Sequence, residues 1–207
     1  MNRHIRIIAL SITLFFITAR LLADSPITST EFYKSYLNYP VVVKAHDAHI
    51  INDSIAAYLL NDSVAVEVKA AVINALSWDF NGKNNASLLM QYLIKKYNYG
   101  NGFDLNTLSA DDIFCLGYLT IMDNYFQTEK PIKILTLAHD KKPDSFTINI
   151  ILALAEAQQA MDTDFCKVYK ICADVKKDKK LTKDMRQSAI DSIFEYINIY
   201  KESCKEK

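Results

Sequence analysis

Between Ser63 and Trp78 the apolar positions Val64, Val68, Ala71, Val72, Ala75 and Trp78 fall three or four residues apart. That spacing lines up one face of an α-helix. Val66 and Ile73 stand on the other side, so this helix is expected to pack between neighbours rather than lie on a surface. The same period predicts helices over 49–60, 87–96, 110–124, 131–139, 144–161, 164–176 and 182–201. Asp111 and Asp112 suit a first turn, where carboxylates complement the helix dipole, and Pro131 suits the first helical position. Ser29 or Thr30 can cap a short helix that Pro40 should stop. The β-branched run VVVKAHDAH at 41–49 is open between helix and extended chain. KYNYGNGFDLN at 96–106 interrupts the period with two glycines, so a loop over 97–108 is expected between two halves.

Gly and Pro are scarce, four each in 207 residues, too few for the turn punctuation of a sandwich or a βαβ fold. The expected fold is therefore all-α, a superhelix or irregular bundle of about eight helices in antiparallel hairpins.

The first segment reads differently. A basic start, MNRHIR, precedes thirteen apolar or small residues, IIALSITLFFITA, and then Ala19 and Ala23 stand where cleavage could fall. This is the pattern of a secretory signal peptide over 1–23, too short to span a bilayer comfortably. Its removal leaves 21 basic and 24 acidic residues, a net of −3. An exported, mildly acidic chain has no electrostatic reason to hold nucleic acid. The lysine-rich run at 176–186 reads as a solvated loop between helices.

Export makes disulfides possible for Cys115, Cys166, Cys172 and Cys204. Cys166 and Cys172 lie about 9 Å apart along one predicted helix on different faces, so they should not bond each other. Cys166–Cys204 is the least awkward pair, and a reduced chain is the default expectation. The sequons at Asn52, Asn61 and Asn85 matter only in a glycosylating pathway.

The helical hairpins suggest a period. An offset of 34 places Leu116 on Ile150, Tyr118 on Leu152, Ile134 on Val168 and Ala138 on Cys172. With LG at 116–117 and AHDKKP at 138–143, the stretch 111–175 resembles tetratricopeptide repeats. LLNDSVAVEVKAAVINAL at 59–76, with its Asp62 turn, its Val68–Lys69 pair and its Ala-Ala step, resembles a HEAT repeat. Together these resemblances touch about half of the mature chain, and they imply an α–α superhelix whose surfaces bind other proteins. They imply no catalysis.

Three stretches could carry chemistry. His46, His49 and Asp53 are spaced i, i+3, i+7 and would share a face if the whole stretch were one helix. A zinc hydrolase could use such ligands with Asp47 or Asp53 as base, although no complete metal signature is present. Tyr97, Tyr99 and Phe103 sit on the polar, glycine-containing loop, where aromatics can contact a protein, peptide or sugar. WDFNGKNN at 78–85 offers Asp79, Asn81 and Asn85 as oxygen donors. It fails as a calcium loop, because glycine falls at the fourth position, Lys83 at the fifth and Met90 at the twelfth. It reads instead as a junction in which Asn81 or Gly82 ends one helix and Asn84 or Asn85 caps the next. No nucleophile elbow or phosphate loop is present, and no cofactor is implied. The expectation is an exported interaction protein, periplasmic or secreted, acting as scaffold, adaptor or toxin neutraliser upon another protein. A metal-dependent hydrolase and a peptide or glycan binder are the alternatives.

Overall fold

A computed structural model describes residues 25–98 and 103–205. The signal-peptide reading, Tyr99 and residues 100–102 lie outside the described residues. Nine α-helices are present among them: α1 Pro40–Ala48, α2 Asp53–Leu59, α3 Val66–Leu76, α4 Asn85–Lys96, α5 Ala110–Asp123, α6 Glu129–Lys141, α7 Phe146–Ala160, α8 Phe165–Lys177 and α9 Gln187–Ile197. Short 3₁₀ turns cover Phe32–Tyr36, Leu105–Thr107 and Asn198–Cys204. The described residues form no strand, only an isolated bridge between Ser145 and Thr182. The fold is all-α.

Sequence sorts these helices into two layers. In α3 every residue except Glu67 is buried, and α5 and α7 are buried over most of their length. These three touch one another and form the inner layer. Helices α1, α4, α6 and α8 bury narrow stripes, such as Leu89 and Leu93 in α4 and Val168 and Cys172 in α8. They lie outside, with α1 on α3, α4 on α5, α6 on α5 and α7, and α8 on α7. The two-sided apolar pattern of 63–78 is thus a buried central helix.

The two ends of the chain meet. Helix α9 packs on the 32–36 turn, which also packs on α3. Tyr36 Oη donates to Glu67 Oε2 at 2.6 Å, and the Arg186 amide donates to both Tyr36 Oη and Glu67 Oε2 at 3.0 Å. The Arg186 guanidinium donates to the Ser35 carbonyl and to Asn38 Oδ1 and covers the rings of Tyr36 and Tyr39. Asn74, buried in α3, accepts from the Tyr33 amide and donates to the Thr30 carbonyl and Tyr118 Oη. An open solenoid leaves its terminal units unpaired with each other; here the first and last units close on one another.

Local details depart from the sequence reading at Pro40 and His49. The short helix at Phe32–Tyr36 ends before Pro40 as expected, with Glu31 rather than Ser29 or Thr30 at its N-cap, but Pro40 also opens α1, so Val41–Val43 are helical. Its missing amide is harmless at the first position, where the amide would have no partner anyway. The stretch 46–53 is not one helix: α1 ends at Ala48, His49 takes the left-handed conformation (φ 55°), and α2 starts at Asp53 behind its Asn52 cap. The lysine-rich loop is pinned, since Asp184 accepts from the Ser145 hydroxyl and the Thr147 amide at the start of α7. Asn85 is buried, its side chain spent on the Ile51 amide and the His49 carbonyl, so its sequon offers no accessible amide.

Candidate functional site

The residues singled out in the sequence do not converge. His46 stacks on Tyr33, with ring centroids 5.1 Å apart, and meets the edge of His49 at 5.6 Å. His49 Nδ1 lies 3.4 Å from the Leu76 carbonyl. Asp53, on the next helix, accepts from the Tyr92 hydroxyl. The break at His49 removes the common helical face that the metal reading required, and no group of three ligating side chains gathers among the described residues.

Tyr97 is an anchor. Its hydroxyl donates to Asp112 Oδ2 at 2.6 Å, beside Lys96 Nζ at 2.9 Å from the same oxygen, and Asp112 is fully buried. Burial is the main cause that holds the Tyr97 hydroxyl above its ordinary pKa, followed by the bond to Asp112. Phe103 packs against the core. The contact surface expected from Tyr97 and Phe103 is therefore turned inward, where Lys96, Tyr97 and Asp112 tie the end of α4 to the start of α5.

Cys166 and Cys204 are bonded, joining the start of α8 to the C-terminal 3₁₀ turn. Cys115 and Cys172 are free and buried. Burial pushes the Cys172 thiol up to about 12 and raises the Cys115 thiol further, so neither supplies a thiolate near neutrality.

An exposed aromatic cluster stands instead where the α3–α4 loop meets the α5–α6 turn. Phe80 and Phe126 are 71% and 60% exposed and meet edge to face, centroids 5.9 Å apart. Phe126 rests on Tyr125 at 4.2 Å, and Tyr125 meets Trp78 edge-on at 5.2 Å. Tyr125 is buried and its hydroxyl has no partner. Ile50, 49% exposed, shares a surface hollow with Trp78.

The loop carrying Trp78 and Phe80 is held rigidly. Helix α3 ends at Ser77, which sits at φ 61°, ψ −176°, a conformation strained for any residue with a side chain. Lys83 reaches back to cap α3, its ammonium donating to the Leu76 carbonyl at 2.6 Å. Partial burial lowers the Lys83 pKa, opposed by Asp123 and Asp79. Gly82, at φ 82°, lets the loop approach the end of α5, where the Lys83 amide donates to the Asp123 carbonyl at 2.9 Å. Ser77, rather than Asn81 or Gly82, ends the helix. Neither Asn84 nor Asn85 bonds as a side-chain cap for α4; Asp123 does so from α5, accepting from the Ala86 amide at 2.7 Å.

Beside the aromatics runs a groove of about 380 Å³ between α4, α5 and α6. Met90, Leu116, Pro131 and Ile134 give it apolar walls, and Asp123, Asn124, Gln127 and Lys130 line its polar end. Below it, Gly117 lets α5 approach α6 closely: a Cβ there would stand 2.9 Å from Leu135 Cγ. Asp123 is 8% exposed and its Oδ1 has no partner. Burial raises its pKa above the ordinary carboxylate value, against amide bonds from Ala86 and Asn85 and the charge of Lys83.

No family model matches the chain, no curated protein matches it, and no solved structure matches it. WDFNGKNN was the sequence signal for the aromatic end, but periodicity assigned Trp78 to the core. Phe126 lies 46 residues away from Phe80 in the chain, and nothing in the sequence pairs them.

Proposed function

We propose that this protein is an exported, non-enzymatic interaction module that binds another protein through the Phe80–Phe126 end of the bundle. The observation that carries this reading is the pair of highly exposed phenylalanines on a buttressed base of Tyr125 and Trp78. Large exposed aromatics cost solvation, and aromatic residues on rigid mounts are the usual energetic centres of protein interfaces. Other large apolar residues are exposed, Ile199 and Phe165 among them, but Phe80 and Phe126 are two highly exposed aromatics that meet each other, so a partner covering this end buries both at once. The signal-peptide pattern and the Cys166–Cys204 bond support an oxidising compartment, periplasmic or extracellular. The hydrolase alternative loses its support with the helical face that was to carry its ligands.

The test is cross-linked affinity capture from the native envelope or medium with the wild-type chain and a Phe80→Ser, Phe126→Ser variant. One reproducible partner should cross-link at the aromatic end and be lost at least tenfold in the variant, whose melting temperature stays unchanged. A partner retained equally by the variant, or no partner at all, refutes the reading.

A further inference from the structure

A hollow of about 470 Å³ opens where the end of α1 meets the α3–α4 loop. Ile50 and Trp78 give it an apolar wall, the first 49% exposed and the second half-buried. Trp78 meets the buried ring of Tyr125 edge-on, which holds it in place. Phe80 and Phe126 do not line this hollow. Ser77 ends α3 at its positive φ, so Trp78 leaves the helix and lies on the hollow. The surrounding chain is fixed. Lys83 spans the loop to the Leu76 carbonyl, and Asn85 is spent on the Ile51 amide and the His49 carbonyl.

Around that wall stand polar groups that the fold does not use. The Trp78 indole N–H, the Ser77 hydroxyl and the Asn84 side-chain amide make no hydrogen bond among the described residues, and all three stay open to solvent. Asp79 spends Oδ1 on the Asn81 amide at 2.8 Å and keeps Oδ2. His49 Nδ1 lies 3.4 Å from the Leu76 carbonyl, which leaves Nε2. Donors and acceptors thus line one cavity together, beside an indole. Charge narrows what they fit. The lining carries one lysine, already committed as a cap, and one acid, Asp79. The two charges offset each other, so the hollow favours neither a strong anion nor a cation. A carboxylate oxygen accepts from hydroxyls, and an amide both donates and accepts. The apolar wall needs a flat hydrocarbon face. A pyranose ring has that face and carries hydroxyls around its rim. The volume falls in the range of small-molecule sites, roughly 300–1,000 Å³.

We propose that this hollow binds a neutral saccharide, with one pyranose ring against Trp78 and Ile50 and its hydroxyls bonded to Asp79 and Asn84. The site is separate from the Phe80–Phe126 contact surface and does not require that surface to bind a protein.

Trp78 is the chain's only tryptophan, so its fluorescence reports this site without a label. The experiment titrates the purified chain with cellobiose, maltose, lactose and diacetylchitobiose. Sorbitol, which has hydroxyls but no ring, and choline, a cation that indoles attract, are the controls. At least one of the four sugars should give a saturable blue shift below roughly 20 mM, and the controls none. Asn84→Ala should weaken that sugar about three- to tenfold, through loss of one neutral hydrogen bond. Asp79→Asn keeps an oxygen for the Asn81 amide and should weaken the sugar about tenfold, since the lost bond is charge-assisted. Both residues are exposed, so emission without sugar and melting temperature should stay as in the wild type. Phe80→Ser, Phe126→Ser should bind the sugar as the wild type does, which separates this result from the fate of the protein-binding surface. Three results overturn the proposal: no saturable shift with any of the four sugars, an equal shift with sorbitol or choline, or wild-type sugar affinity in both Asn84→Ala and Asp79→Asn.

Discussion

Asp123 and Ser77 are the two residues at which local energy is spent on the candidate site. Asp123 is buried, and burial holds its folded pKa above the ordinary 3.8. Below that ordinary value the carboxyl is protonated in both folded and unfolded chains, and its contribution to stability is fully present. As pH rises through the folded pKa, ionisation inside the protein costs more than in the unfolded chain, and the contribution is lost. Asp123→Asn removes this titration and keeps an oxygen for the Ala86 amide. Chemical denaturation from roughly pH 3 to 7 should therefore show the wild type losing stability relative to the variant as pH rises. A constant difference would mean that Asp123 titrates normally. Ser77 is a simpler case. Its positive φ costs roughly 1–3 kcal/mol in a residue with a side chain, and glycine would add back roughly 0.5–1 kcal/mol of unfolded-state entropy. Strain is the larger effect, so Ser77→Gly should stabilise the fold by about 1 kcal/mol, read as a rise in melting temperature of roughly 2–4 °C.

Among the elements, α5 and α6 show how a site arises from close packing. Gly117 faces Leu135 and Ile134, and a Cβ would stand 2.9 Å from Leu135 Cγ and 3.1 Å from Ile134 Cγ2. Replacing Gly117 with alanine gains about 1 kcal/mol of helix propensity, but overpacking a filled interface costs roughly 1–3 kcal/mol. Leu135 is fully buried and the close atom is its Cγ rather than the far end of the side chain, so the packing cost wins. Gly117→Ala should lower stability by about 1 kcal/mol in urea unfolding and push α6 outward at the groove. The helices themselves were largely legible: the period of Val64, Val68, Val72 and Ala75 marks α3, and its two-sided pattern marks α3 as central. What the period could not show lies at the helix ends. There Pro40 not only follows the end of one helix but starts the next, His49 breaks the line of ligands, and Asp123 replaces Asn84 as the cap of α4. The last two depend on partners distant in the chain, and local spacing carries no record of such partners. The tyrosine loop misled for the same reason, because Asp112 claims Tyr97 from another helix, while Phe80 and Phe126 acquire their meaning only from being brought together.

At the scale of the whole molecule the chain is closed twice, and the two closures differ in kind. The first joins the ends of the fold: Arg186 binds the 35–38 turn and, with Tyr36, shares Glu67 of the central helix. This closure distinguishes the bundle from an open repeat array, in which each unit contacts only its neighbours. The second is covalent and more local. Cys166 and Cys204, 38 residues apart, strap the Asn198–Cys204 turn onto α8, where Tyr200 stacks on Phe165. Without the bond, that turn has no buried residue of its own to hold it. Cross-linking a loop of this length stabilises a fold by roughly 3–4 kcal/mol through the entropy of the unfolded chain. Replacing both cysteines with serine should therefore cost about 3 kcal/mol in denaturant unfolding. The Arg186 closure lies upstream of the freed segment and should survive. Limited trypsin digestion of the native variant should then cut first at Lys201 and Lys205 and leave a resistant fragment that retains Arg186. If the first cuts fall instead in the 32–39 region or between α3 and α4, the disulfide supports the closure of the whole bundle and the two are a single cooperative device.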